Sequence, residues 1–250
     1  MIMKRRSLYI FLTICATLLC LRTAQAQADL DTDNDGLTDS QENNIYYTDP
    51  TLPDTDGDGF SDANEITNGY SPRFSDNKKM TEVDSDKDYL PDAWELSLGT
   101  GLMNPDSDGD LYLDGTEVRA GFDPLNQERV QKEKLISVSL AKQSLTYSFD
   151  GRTLETFPIS GGVAGLPTPR GDFAVIKKYP LKNYGGAGYY YPNTKWNLHF
   201  TTINYNYYIH GAYWHNDFGK PKSHGCVNVS YSNMERLYDW AQVGTKIKIQ

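Results

Sequence analysis

Two groups of residues in this 250-residue chain have types and spacings that could do chemistry. The first is a set of carboxylates on one template. Asp31-Thr-Asp33-Asn-Asp35, Asp54-Thr-Asp56-Gly-Asp58, Asp84-Ser-Asp86-Lys-Asp88 and Asp106-Ser-Asp108-Gly-Asp110 share a spacing. Each continues to an Asp at loop position 9 (Asp39, Asp62, Asp92, Asp114) and a Glu at position 12 (Glu42, Glu65, Glu95, Glu117). Acids at positions 1, 3, 5, 9 and 12 can fold around one hard cation, with the Glu bidentate and a main-chain carbonyl from position 7. That oxygen-rich shell suits calcium better than the smaller, stricter magnesium. A disordered acidic linker has no reason to keep such a register. Loops 31–42 and 54–65 carry Gly36 and Gly59 at position 6, where the chain must turn sharply. Loops 84–95 and 106–117 carry Tyr89 and Leu111 there, which predicts an altered geometry or a weaker site. Position 7 is always apolar (Leu37, Phe60, Leu90, Tyr112) and is expected to pack on a neighbour.

The second group is a thiol among imidazoles. Ile209-His210-Gly211 is followed, sixteen residues after the first His, by Cys226 within Ser223-His224-Gly225-Cys226-Val227-Asn228. A thiol reacts as its thiolate, and a nearby imidazole can lower its pKa and carry its proton. Gly225 allows a tight approach and would leave backbone N–H groups to stabilise an oxyanion. The remaining cysteines, Cys15 and Cys20, lie in an N-terminal segment where Lys4, Arg5 and Arg6 precede an apolar run from Leu8 to Leu21, followed by Ala24-Gln25-Ala26. This pattern predicts a secretory signal peptide over residues 1–26, cleaved after Ala26, rather than a retained span. Cys226 is then the one thiol of the exported chain, which excludes an internal disulfide.

The formal net charge of −9 hides two bodies of opposite sign. Residues 27–131 sum to −20 and residues 132–250 to +7. The acidic balance argues against nucleic acid as a partner, and the composition excludes full disorder and a multi-pass membrane protein. The acidic part has too little chain between loops for paired EF-hands, and its connectors carry turn signals such as Asp49-Pro50, Asn68-Gly69 and Asn104-Pro105.

From Leu135 the texture changes to short apolar or alternating runs. Strands are expected over 136–140, 144–149, 152–159, 173–178, 205–209, 227–229 and 246–249, with a hairpin at Asp150-Gly151. Met234–Ala241 reads as a helix with Met234, Leu237 and Tyr238 on one face and Ser232 or Asn233 as cap. The fold class expected is mainly β. Tyr191 and Trp196 belong to an aromatic stretch that could line a substrate groove, while His199 and His215 are expected at surface or core positions.

The acidic part, residues 27–130, resembles thrombospondin type 3 repeats, which implies little regular structure and structural calcium. Residues 133–250 resemble the L,D-transpeptidase catalytic domain. The residues that carry this are an opening Ile136-Ser-Val138 strand, Thr168-Pro169-Arg170-Gly171-Asp172-Phe173, the His210-Gly211 pair, Ser223-His224-Gly225-Cys226 and the closing Gly244-Thr-Lys-Ile247 strand. The resemblance implies a β-sandwich-like fold acting on peptidoglycan stem peptides, with no cofactor for catalysis. It implies Cys226 as nucleophile and His210 as base, oriented by the Gly211 backbone. It also implies His224 with the Gly225 and Cys226 amides at the oxyanion and Ser223 supporting the turn; Asn228 stands where many members carry Arg and is expected among the substrate-binding residues, its part open. Alternatives are an L,D-carboxypeptidase or a non-catalytic, calcium-dependent wall-binding protein; a papain-like protease is disfavoured because its Cys precedes its His. The expected location is the periplasm or cell envelope, with no membrane attachment after cleavage. Roughly twenty uncompensated charges should swell the repeats when calcium is withdrawn. The hydrodynamic radius of the 27–250 chain is therefore expected to rise from millimolar calcium to excess chelator, and an unchanged radius would contradict calcium loops.

Overall fold

The computed structural model describes residues 30–186, 188–201 and 205–250. The expected signal peptide lies outside them. Among the described residues no helix is long and apolar enough to cross a membrane. The chain forms two compact units. One holds the described chain up to Ser85 with Pro91–Ala93; the other holds Asp86–Leu90 and Trp94–Gln250. The division between these compact units falls inside the third loop.

Each acidic loop runs into a short helix: α1 (Asp39–Gln41, continued by a π-helical turn over Glu42–Tyr46), α2 (Asp62–Asn68), α3 (Asp92–Leu98) and α4 (Asp114–Ala120). Thr38 and Ser61 cap α1 and α2 by accepting Gln41 and Asn64 N–H. Gly69 and Gly121 end α2 and α4 in the left-handed region, where glycine carries no steric cost. One helix of two turns or fewer per loop is the regular structure these segments hold.

The second unit is built on two sheets. One has the order β3-β2-β1-β9-β4 and the other β5-β6-β7-β8. The strands are β1 Lys134–Ser139, β2 Ser144–Phe149, β3 Arg152–Pro158, β4 Gly171–Ala174, β5 Lys177–Gly186, β6 Tyr189–Thr201, β7 Tyr207–Gly211, β8 Val227–Val229 and β9 Lys246–Ile249. Most pairs are antiparallel, but β1–β9 and β7–β8 are parallel. The β2–β3 turn takes positive φ at Asp150 and Gly151, the hairpin geometry that this dipeptide favours. Alternation buries Ile136, Val138, Leu145, Tyr147, Phe149, Ile247 and Ile249 from the first sheet, and Leu198, Phe200, Ile209, Val227 and Val229 from the second. Helix α5 (Tyr231–Trp240) adds Met234, Leu237 and Trp240, and Phe173 meets Phe200 edge-on at 5.3 Å. The α5 cap is Ser230, whose Oγ accepts Asn233 N–H, and Trp240 rather than Tyr238 completes the buried face. The expected 173–178 strand is split between β4 and the start of β5.

Within this second unit the third- and fourth-loop helices pack directly on the sheets. Trp94 of α3, 3% exposed, stands edge-on to Tyr147 at 5.6 Å and donates Nε1–H to Glu155 at 3.2 Å. Glu155 also accepts Tyr147 O–H and both Arg236 Nε and Nη2, each at 2.8 Å. Ser97 Oγ donates to Thr153 O at 2.6 Å. At α4, buried Lys134 donates to Arg119 O at 2.8 Å and Trp240 O at 2.5 Å, with its ammonium 4.6 Å from the Trp240 ring. Burial pushes the Lys134 ammonium down to about 7. Trp94→Ala should cost about 3–5 kcal/mol, because it removes a buried aromatic and one donor to a shared carboxylate. Urea unfolding of the full chain in calcium checks this; a loss below about 1 kcal/mol would show that α3 is not part of this core.

Candidate active site and acidic loops

The acidic loops close in the same way each time. Position 1 gathers the turn: Asp54 accepts Gly57, Asp58 and Gly59 N–H at 2.8, 3.2 and 2.9 Å, and Asp106 accepts Gly109, Asp110 and Leu111 at the same distances. In the first, second and fourth loops, oxygens of positions 1, 3 and 5 lie within 4.8 Å of one another. The third loop straddles the two units, with Asp84 and Asp92 in the first and Asp86, Asp88 and Glu95 in the second. Position 6 takes a positive φ in all four loops: 108° at Gly36, 99° at Gly59, 78° at Tyr89 and 78° at Leu111. Tyr89 and Leu111 thus keep the glycine-type turn, at the conformational cost of a side chain in the left-handed region.

Position 9 departs from expectation. Asp39 accepts both the N–H and the hydroxyl of Thr32, and Thr55 with Asp62, Ser85 with Asp92 and Ser107 with Asp114 repeat the pattern at 2.5–2.9 Å. Asp39, Asp62, Asp92 and Asp114 therefore lock the loop closed rather than offer free oxygens. The position-12 carboxylates do the opposite. Glu65 and Glu117 are 3% and 1% exposed, and none of their oxygens has a hydrogen-bond partner; Oε2 of Glu42 has none either. Asp33, Asp56, Asp58 and Asp108 each hold one further unpartnered oxygen. Burial first, with reinforcement from the loop's other acids, pushes Glu42, Glu65 and Glu117 up to about 7, against a pull from Thr48 at Glu42. Buried carboxylate oxygens without partners are costly, and a divalent cation is what this donor set fits.

The loops also work in pairs. The position-5 carboxylate of loop one, Asp35, accepts Ala63 N–H of α2 at 2.9 Å, and Asp88 of loop three accepts Gly115 N–H of α4 at 2.9 Å. Gly36 faces the Ala63 methyl, while a Cβ on Gly115 would lie 2.5 Å from Asp88 O. The small residue has changed sides: where loop three carries Tyr89, the facing helix supplies the glycine. Only the first loop of each pair buries its position-7 side chain, Leu37 and Leu90; Phe60 and Tyr112 are half-exposed.

The thiol site is assembled by β7 and β8. Their parallel register pairs Ile209 with Val227, His210 with Asn228 and Gly211 with Val229. Side chains alternate across a strand, so His210 and Cys226, two residues apart in this register, fall on one face. His210 is 3% exposed, and its Nδ1 lies 2.9 Å from Gly211 O. A carbonyl only accepts, so Nδ1 carries the proton and Nε2 is the basic nitrogen. A Cβ on Gly211 would fall 2.5 Å from the Tyr231 ring, and one on Gly225, at φ +111°, would enter the Tyr207 ring. Both positions need glycine.

Ser223 supports the turn as expected: its Oγ donates to Cys226 O and accepts Gly225 N–H at 3.1 Å. That bond occupies the Gly225 amide, which is therefore not a free oxyanion donor. Thr168, from the Thr-Pro segment, stands under the same turn by accepting Gly162 N–H at 2.9 Å and reaching Cys226 O at 3.4 Å. His224 is exposed and stacks on Tyr189 at 4.6 Å. Asn228 is 3% exposed, and its Nδ2 lies 3.0 Å from His215 Nε2. Its side-chain amide thus meets a second imidazole. Tyr191 lies flat on Trp214 at 3.8 Å, and Trp214 is 5.8 Å from the His210 ring. Trp196 stands against Tyr231 of α5 instead. Tyr184, which nothing in the sequence singled out, stacks on His210 at 4.4 Å and donates to Asn197 Oδ1 at 2.8 Å.

Burial pushes the Cys226 thiol up to about 11, against the opposing pull of the Tyr208 main-chain hydrogen bond and the Lys182 charge. Burial pulls His210 down to about 4, and the Gly211 hydrogen bond only partly offsets it. At neutral pH the pair rests as thiol and neutral imidazole, a nucleophile with its base rather than a preformed ion pair.

Residues 133–249 match the model of the L,D-transpeptidase catalytic domain, and residues 31–53, 54–69 and 106–127 match the bacterial TSP3 repeat. The third loop lies outside the repeat match. The chain is 29% identical over 152 residues to L,D-transpeptidase 1 of Mycobacterium tuberculosis, covering 54% of this chain and 57% of that protein. It is 30% identical over 115 residues to YkuD of Bacillus subtilis, covering 46% and 64%. The chain thus spans less than two thirds of these relatives. The solved L,D-transpeptidase from Mycobacterium smegmatis aligns at 30% identity over 48% of this chain and 59% of that one, with a TM-score of 0.45. By the family-model and sequence matches the chain resembles the L,D-transpeptidase catalytic domain in its C-terminal part and bacterial TSP3 repeats in the loops before it.

Proposed function

We propose that this protein is an exported peptidoglycan L,D-transpeptidase whose catalytic domain is positioned by calcium-stabilised repeats. The observation that carries the reading is the β7–β8 register, which sets Cys226 beside an imidazole whose Nδ1 is fixed by Gly211 O. Asp31, Asp33, Asp35 and Glu42, Asp54, Asp56, Asp58 and Glu65, Asp84, Asp86, Asp88 and Glu95, and Asp106, Asp108, Asp110 and Glu117 would hold the ions. Calcium there is structural and takes no part in the reaction.

His210 Nε2 takes the thiol proton as the sulfur attacks the carbonyl carbon of the third stem residue. With the thiol near 11 and the imidazole near 4, the proton moves as the S–C bond forms, not before it. The tetrahedral intermediate collapses by breaking the C–N bond, and His210 returns the proton to the departing D-alanine amine. An amine from a second stem then attacks the thioester, His210 accepts its proton, and the Cys226 thiol is regenerated with a new amide. Water in place of the amine gives carboxypeptidase activity.

Cys226→Ala should abolish D-alanine release from a disaccharide-tetrapeptide, with near-wild-type circular dichroism; release by this variant would show that another group is the nucleophile. The base is neutral above its pKa, so the acylation rate should hold from neutral pH down to about 5 and fall as His210 protonates near 4. An acid limb centred at the ordinary imidazole value of about 6.5 would contradict the buried, neutral His210.

A further inference from the structure

We infer that Lys182 receives the terminal carboxylate of the donor stem beside Cys226, an assignment that rests on the transpeptidase reading. Lys182 is half-buried on β5 at a bulge, where the register shifts between Lys182 and Tyr184. Its ammonium lies 5.0, 5.7 and 5.8 Å from the ring centres of Tyr208, Tyr179 and Tyr184. Two of those residues lead straight to the reacting groups. Tyr184 stacks on His210, and the main-chain N–H of Tyr208 hydrogen-bonds the Cys226 sulfur.

What the ammonium lacks is an anion. Among the described residues no carboxylate pairs with Lys182, while Lys78, Lys132, Lys222, Lys246 and Arg236 each have one. Lys134 and Lys178 spend their protons on main-chain carbonyls of Arg119, Trp240, Tyr238 and Ala241. Three π-faces hold the Lys182 cation in place without neutralising it, so its charge stays available at the thiol. A donor tetrapeptide carries a carboxylate on the residue directly after the scissile bond, so it brings one fixed negative charge to this spot. Asn228, expected among the substrate-binding residues, is buried against His215. Loss of D-alanine removes the carboxylate and frees Lys182 before the acceptor arrives.

The test is calorimetric binding to the full calcium-loaded chain carrying Cys226→Ala, so that no turnover intervenes. The probes are a disaccharide-tetrapeptide and the same molecule with its terminal carboxylate converted to the carboxamide. The free acid should bind about tenfold more tightly, as a charge-assisted contact provides. Adding Lys182→Gln or Lys182→Met should erase that preference while leaving carboxamide affinity in place, and Lys182→Arg should keep most of it. A purely structural role would weaken both probes alike. Equal affinity for the two probes with Lys182 present, or a preference that survives both charge-free variants, overturns the assignment. Failure of the transpeptidase reading shows separately, as absence of D-alanine release by the wild-type chain.

Discussion

Two short parallel strands set the geometry of the thiol site. The β7–β8 ladder is only three pairs long, yet it is what brings His210 beside Cys226 across sixteen residues of chain. A shift of one residue would turn either side chain to the opposite face. The ladder is held from outside: Ser160 pairs with Asn228 through both main-chain bonds at 2.9 Å, and Ala212 N–H reaches Val229 O at 2.8 Å. Ser223 and Thr168 brace the Cys226 carbonyl from below. Gly211 and Gly225 matter for the same reason, since each lets an aromatic ring close over backbone that a side chain would push away. The site is thus a rigid turn on a rigid ladder, which is what a nucleophile and base must have to share one proton.

The acidic half follows a different rule. Its elements are too short to bury much apolar surface, and what they bury instead is carboxylate. Position 9 stitches each loop to its own second residue, and position 5 of the first loop in each pair stitches it to the helix of the second. Glu65 and Glu117 remain inside without partners, so their charge must be met by a cation or removed by protonation. In the second unit the loop helices are also part of the core under the sheets, because Trp94 shares Glu155 with Tyr147 and Arg236 while Lys134 ties α4 to α5. From Trp94 onward, the ends of these loops are a layer of the second unit.

Much of this was legible in the residues. The β2–β3 hairpin, β8 and β9 appear where alternation and turn signals put them, because apolar spacing there follows the pleat directly. The closeness of His210 and Cys226 was signalled by the His-Gly and His-Gly-Cys turns, and the β7–β8 register puts the two on one face. The long β5–β6 hairpin was not: its Lys, Tyr, Asn and Gly residues do not alternate, half-exposed aromatics replace a buried face, and the bulge at Lys182 breaks the period. Tyr184 and Lys182 were missed with it. Position 9 was misread because an Asp that closes a loop through Thr or Ser has the same spacing as one that binds a cation. The contact of Asn228 with His215 was not legible, because His215 is thirteen residues away and carries no motif. The tolerance of Tyr89 became intelligible only through Gly115, which lies in another loop.

The central claim is that Cys226, resting as a neutral thiol beside neutral His210, is the atom that stem peptides acylate. Intact-protein mass spectrometry of the calcium-loaded chain mixed with a disaccharide-tetrapeptide tests it most directly. The account predicts a covalent adduct equal in mass to the donor less D-alanine, mapping to the peptide that contains Cys226 and absent from Cys226→Ala. Folded protein that forms no adduct, or an adduct on any other residue, would contradict it.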